Sequence, residues 1–325
     1  METTVPGSDA ARNGCPALAG GRRGWWLPFL LLALLALPAG AAPPPSVVVV
    51  ADPESAHQQA FIQGLRDRLR DRLQDRLEGR AALERRSPAE LDRIDPASLV
   101  IAVGERAGAA VAEQRSGAWR LYGLVSWGAA REWLQGDPRA AARVVEQPPR
   151  RVVALLVAVL PEARRVGLLL GPSSRHYGRR LRSALEEAGR EPAVRQVEDE
   201  AGVEARVEEL FAESQALIVP ADPLVINRRT AVPLIQGAYL RGVPLLGPGR
   251  SSVRAGALMA LHTDPAELGR EAAGDVRAAL TGSAPAGHRH PRAFRVVVNY
   301  GVARALGLAV PPEGELYRRL QEGRP

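Results

Sequence analysis

The sequence contains no lysine; all 43 of its basic residues are arginine. That excludes a Walker-type phosphate loop, in which a lysine ammonium must reach the phosphates. There is one cysteine, Cys15, so neither an internal disulfide nor a Cys-rich zinc site can form. Cys15 lies before the long apolar run rather than directly after it, which is the wrong place for a lipid-anchored cysteine. Aromatic residues make up 4% of the chain, too few for a base-stacking surface. No glycine-rich dinucleotide loop follows the first predicted strand, which continues as ADPESA. A GxSxG nucleophile elbow is also missing, so Ser173, Ser174 and His176 stand together without the turn a serine nucleophile needs. His288-Arg289-His290 has no nearby carboxylate to complete a metal site and reads as a solvated Gly/Pro-rich loop. No catalytic set and no cofactor are expected.

The 325 residues are 46% hydrophobic and 24% charged, which is ordinary globular composition and enough chain for two domains. The net charge of +7 suits an anion or nucleic-acid surface. The arginines are scattered, however, and many alternate with Asp or Glu, as when a high-GC genome replaces Lys by Arg. No nucleic-acid partner is expected.

Arg22 and Arg23 precede the apolar run from Trp25 to Leu37, and Ala39-Gly40-Ala41 follows it. A positive flank, an apolar core of about 13 residues and a small-x-small site form the secretory pattern. Residues 1–41 are therefore expected to be a cleaved signal peptide, and the mature chain periplasmic. The alternative is an uncleaved membrane anchor, although a spanning helix needs roughly 20 apolar residues.

From residue 46 onward the pattern alternates. SVVVVAD is a continuous β-branched run that suits a strand buried on both faces. Residues 56–78 carry Phe61, Leu65, Leu69, Leu73 and Leu77 at i, i+4 spacing, an amphipathic helix. SLVIAVG, WRLYGLVSW, RRVGLLLG, SQALIVP, VPLLG, ALMALHT and FRVVVN read as further strands, with helical segments between most of them. The polar, proline-marked stretch 128–150 reads as a crossover or linker. This alternation predicts an α/β protein of two Rossmann-like lobes with parallel sheets joined by a hinge. The expected division is 46–147 for the first lobe and 148–292 for the second, with 293–325 returning toward the first.

Ligands of open α/β sheets bind beyond the carboxyl ends of the strands. Those loops hold Asp52, Ser55, Gly104, Glu105, Arg106, Ser126 and Trp127 in the first lobe. In the second they hold Ser173, Ser174, Asp222, Arg250 and Ser251. Several of these loops open a helix, whose backbone N–H groups favour an anion. Arg106 or Arg250 would hold a carboxylate, Asp222 would counter an ammonium, and Trp127 would wall the cleft. Helix capping alone would account for many of the same residues.

The stretch from Ala221 through Gly282, with Asp222-Pro223, VPLLG, SSVRAGAL and Leu268-Gly269-Arg270, resembles ABC-transporter substrate-binding proteins of the tryptophan/tyrosine-binding type. VIAVGERAGAA, RRVGLLLGPSS and FRVVVNYGVARALGL are similar to other parts of that family. The resemblance implies the periplasmic-binding-protein type I architecture and a small amino-acid-like or carboxylate ligand. It implies an ABC permease as partner and no reaction. A threonine-glycine ligand loop typical of the family after the strand ending near Trp127 is absent. The alternative role is a sensing module that reports ligand to a membrane receptor or signalling protein, and in either role the chain is expected to be a monomer.

Overall fold

The computed structural model describes residues 46–323 apart from 74–82, 92–93, 97 and 115. The expected signal peptide lies outside the described residues. The first sheet begins with β1 (Val47–Ala51), followed by α1 (Ala56–Leu73), β2 (Leu83–Arg86), β3 (Leu99–Val103) and α2 (Glu105–Glu113). It continues with β4 (Trp119–Val125), α3 (Trp127–Leu134) and β5 (Ala140–Val144). The second comprises α4 (Pro149–Val159), β6 (Arg165–Leu170), α5 (Arg175–Glu187), β7 (Glu191–Gln196), α6 (Gly202–Glu213) and β8 (Ala216–Ile218). Next come α7 (Ala231–Leu240), β9 (Leu245–Gly247), α8 (Arg250–Arg254) and β10 (Met259–His262). The chain then passes through α9 (Pro265–Leu280), β11 (Gly287–Arg289), β12 (Arg295–Val298), α10 (Tyr300–Ala305) and α11 (Glu313–Gln321).

The strand orders are β11-β5-β4-β3-β1-β2 and β12-β10-β9-β8-β6-β7. Every pair in the first sheet is parallel. In the second, only β10 with β12 is antiparallel. The continuous apolar runs sit where both faces are covered: all five residues of β1 and all five of β3 are buried. Fully burying one such Val or Ile contributes about 1.5–3 kcal/mol. One core cluster runs unbroken from the α2–α3 side of the first sheet to the α4–α5 side of the second. Separate clusters lie under α1 and α9 and under α6 and α7.

Two expectations need correction. Residues 128–150 hold α3 and β5, and only their end, near 145–148, is the expected crossover. The small side chains of Ala140-Ala141-Ala142 hide β5, yet its five residues are buried. The chain also changes sheets earlier than expected. After β10 it crosses back, and α9 packs along α1 of the first lobe. Two glycines permit that approach. A Cβ on Gly269 would lie 2.0 Å from the Phe61 carbonyl oxygen, and one on Gly64 would lie 2.0 Å from that of Ala266. β11 pairs with β5 in the first sheet, and β12 then returns to the second beside β10. So 265–289 belong to the first lobe and 295–321 to the second, the reverse of the expected C-terminal assignment. His288 and Arg289, read as loop, lie in an edge strand.

Three crossings therefore join the lobes, near 145–148, 263–264 and 290–294. They are hydrogen-bonded to one another. Gln147 Nε2 donates to Thr263 Oγ1 at 2.7 Å, and Thr263 Oγ1 donates to the Ala293 carbonyl at 2.6 Å. Arg151 donates to Gln147 Oε1 at 2.8 Å and to the Pro291 carbonyl at 3.0 Å. His290 Nδ1 donates to the Glu146 carbonyl at 2.8 Å.

Candidate functional site

Most of the strand-end loops chosen from sequence form one chain of contacts. Asp52 donates its amide to Gln58 Oε1 at 2.7 Å, and Ser55 Oγ accepts the Gln58 amide at 3.4 Å. The same glutamine lies against Gly104, whose φ of +87° suits a residue without a Cβ. Glu105 accepts the Ser126 amide at 3.2 Å, and Ser126 Oγ caps α3 by accepting from Ala129. Arg106 is exposed at the second position of α2. A bulge with Leu124 at φ 55° ends β4 just before this cap, and so re-aims the loop.

The contact chain then crosses to the second lobe. A Cβ on Gly128 would stand 2.3 Å from the Ser173 carbonyl oxygen, so the lobes touch backbone to backbone. Trp127 meets Tyr177 of α5 with ring centroids 6.4 Å apart. Ser174 donates its amide to Asp222 Oδ2 at 2.8 Å, while Asp222 Oδ1 accepts the Leu224 amide at 3.0 Å. With 2% exposure and both oxygens engaged by backbone amides, Asp222 clamps its loop. Arg250 and Ser251 fall outside the chain of contacts. Both are exposed, and Arg250 borders a groove of about 950 Å³ together with Asp264, Arg295 and Tyr300.

Glu146, in the first crossing, was missed because EQPP reads as linker. Its carboxylate is buried and accepts the Trp127 amide with both oxygens, at 3.0 and 2.9 Å. Burial pushes its pKa up from 4.5 to about 7; the Trp127 hydrogen bond opposes the rise and the Glu105 charge adds to it. Tyr177, also missed, donates its hydroxyl to the Gln147 carbonyl at 2.7 Å. No sequence signal marked these residues, since their role depends on a contact between lobes. Where the first crossing faces the ends of β8 and β9 lies a cavity of about 70 Å³. That space suits a few water molecules.

Two sheets of this order, joined by bonded crossings and touching at strand-end loops, define a two-lobed binding protein of the periplasmic type I fold. The family model described as ABC transporter substrate binding protein matches residues 146–314, and the chain belongs to that family. Solved structures agree on the fold. The ABC domain in complex with L-Trp from Streptococcus pneumonia is 14% identical, with a TM-score of 0.62 over 84% of this chain and 97% of that one. The ligand-free, open structure of a substrate binding protein with adhesive properties from Clostridium difficile is 16% identical, with a TM-score of 0.62 over 82% of this chain and 96% of that one. A conserved domain protein from Vibrio cholerae is 16% identical, with a TM-score of 0.60 over 85% of this chain and 98% of that one. No curated protein matches the sequence. The family is one of solute binding rather than catalysis. Among the described residues no helix is long and apolar enough to cross a membrane.

Proposed function

We propose that this chain is an extracytoplasmic receptor that captures a small amino-acid-like or carboxylate ligand between its lobes and presents it to an ABC permease. The observation that carries the reading is the direct contact of Gly128 with Ser173 at strand-end loops, opposite three mutually bonded crossings. Such a molecule moves as two rigid halves about a narrow hinge. A ligand favours the closed state only to the extent that it binds that state better than the open one. The start of α2 supplies the anion contact: its first amides point outward from Gly104, and Arg106 adds a guanidinium. The L-Trp in the Streptococcus relative supports an amino acid as the ligand class.

The test is a thermal-shift screen of the amino acids and small carboxylates on protein refolded free of ligand. A ligand present at about 100 times its dissociation constant stabilises by about 2.7 kcal/mol. At least one compound is expected to shift the wild type, and Arg106→Gln is expected to reduce that shift. A flat screen would contradict the ligand class.

A further inference from the structure

β12 is an edge strand of the second sheet, with β10 on one side of it. Along its other side runs the groove of about 950 Å³, lined by β12 itself and by parts of α8 and α11. None of the residues in the chain of contacts from Asp52 to Asp222 borders it.

The ladder fixes which backbone groups of β12 look into the groove. The Asn299 amide donates to the Leu258 carbonyl at 2.8 Å, on the β10 side. Successive residues of an antiparallel strand turn their amides and carbonyls to opposite edges, so Val298 and Val296 turn theirs outward. The Val298 amide accordingly donates to Glu313 Oε1 of α11 at 2.8 Å. A carboxylate oxygen thus stands where the carbonyl of one more strand would. Val296, the next outward residue, is not capped by any described side chain or loop. An uncapped edge of this kind is a template for a further strand.

The two walls differ in charge. Val296 and Val298 bury their side chains on the α11 side, and Arg295 and Val297 turn to the opposite face, beside α8. The lining acids are engaged. Asp264 accepts from Arg295 at 3.0 Å, Glu267 is paired with Arg270 at 2.7 Å, and Glu313 holds the Val298 amide. Arg250 and Arg254 of α8 are both exposed and form no ion pair or hydrogen bond among the described residues.

We propose that the β12 edge is a docking site for an extended acidic segment of a partner protein, which adds to the sheet as one more strand. Main-chain bonds to Val296 and to the Val298 carbonyl hold the segment, and pockets for alternate side chains select it. Asp or Glu at every second position faces Arg250 and Arg254. The residues between them lie toward Gly314 and Tyr317. The assignment does not rest on the solute proposed above, since neither Arg106 nor the start of α2 lines this groove.

Fluorescence anisotropy with a labelled, end-blocked hexapeptide of alternating Asp and Val tests it. The wild type is expected to bind the peptide at millimolar concentrations or below, and a peptide of alternating Lys and Val at least about tenfold more weakly. The double variant Arg250→Gln/Arg254→Gln, two exposed changes, should weaken the acidic peptide by about tenfold or more, whereas Arg106→Gln should leave it unchanged. N-methylation of the peptide checks the pairing without altering the protein. Methyl groups on one alternate set of amides should abolish binding, and on the other set should leave it, because the two sets face opposite edges of a strand. No binding of the acidic peptide would overturn the proposal. So would equal effects of the two methylated sets, or binding that the arginine variant leaves intact.

Discussion

Asp275→Ala is expected to destabilise the protein by about 3–5 kcal/mol, the cost of removing one partner from a buried ion pair. Arg143, in the middle of β5, is 5% exposed, and Asp275 on α9 is 4% exposed. The guanidinium holds Asp275 with two bonds, Nε at 2.6 Å and an Nη at 3.0 Å, and reaches Glu271 at 2.9 Å. Arg289 of β11 bonds the same Asp275, and Glu271 accepts the amides of Arg292 at 2.9 Å and Ala293 at 2.8 Å. One charge cluster thus fastens β5, α9, β11 and the third crossing. Taking away Asp275 leaves Arg143 buried with one carboxylate for support. The measurement is urea unfolding: the midpoint should fall while the denaturant dependence keeps its slope. The double variant Arg143→Met/Asp275→Leu should recover part of the loss, since no guanidinium is then buried there and Glu271 keeps the amides of Arg292 and Ala293. A loss below about 1 kcal/mol for Asp275→Ala would mean that the cluster is hydrated and energetically ordinary.

The second large effect belongs to Glu146. Its folded-state pKa is raised from 4.5 to about 7, so between those values the folded protein holds a proton that the unfolded chain has released. Stability therefore falls as pH rises through this window, and it is level below 4.5 and above about 7. At 1.36 kcal/mol per unit the full span amounts to about 3 kcal/mol. Glu146→Gln removes the titration but keeps an acceptor for the Trp127 amide. The stability of the variant minus that of the wild type should climb by about 3 kcal/mol from pH ~4.5 to ~7.5, whatever constant offset the buried amide introduces. A difference that stays flat with pH would show that the Glu146 carboxylate is solvated in the folded protein.

Much of the architecture was legible before any coordinates, because its carriers are local. Val47 to Val50 announce a doubly covered strand, and the spacing of Phe61, Leu65 and Leu69 announces the helix beside it. What stayed hidden depends on distant partners. An arginine in an alanine run does not read as a buried strand; Arg143 is tolerated in β5 because α9 brings Asp275 and Glu271 to it. The sequence His288-Arg289-His290 looks like solvent-facing loop, and pairing with β5 puts His288 and Arg289 in a strand. The return of α9 to the first lobe rests on Gly64 and Gly269, ordinary glycines until two helices are laid side by side.

The site divides the same way. Strand-end logic chose Asp52, Gly104, Glu105, Ser126 and Ser174, and these make the loop and cap contacts that are written locally. Asp222, chosen by the same logic as the partner of an ammonium, binds two backbone amides with its carboxylate. Glu146 and Tyr177 escaped notice because their importance comes from burial between lobes.

The central claim is that two lobes separate and close on a small ligand. Small-angle scattering of the protein and of its Gly128→Val variant tests it most directly. A valine side chain cannot share the space of the Ser173 backbone, 2.3 Å from where its Cβ would stand. The variant should therefore be more extended than the wild type, and ligands from the amino-acid screen should compact the wild type more readily than the variant. Equal radii of gyration for the two proteins, unchanged by every compound, would contradict a hinged receptor.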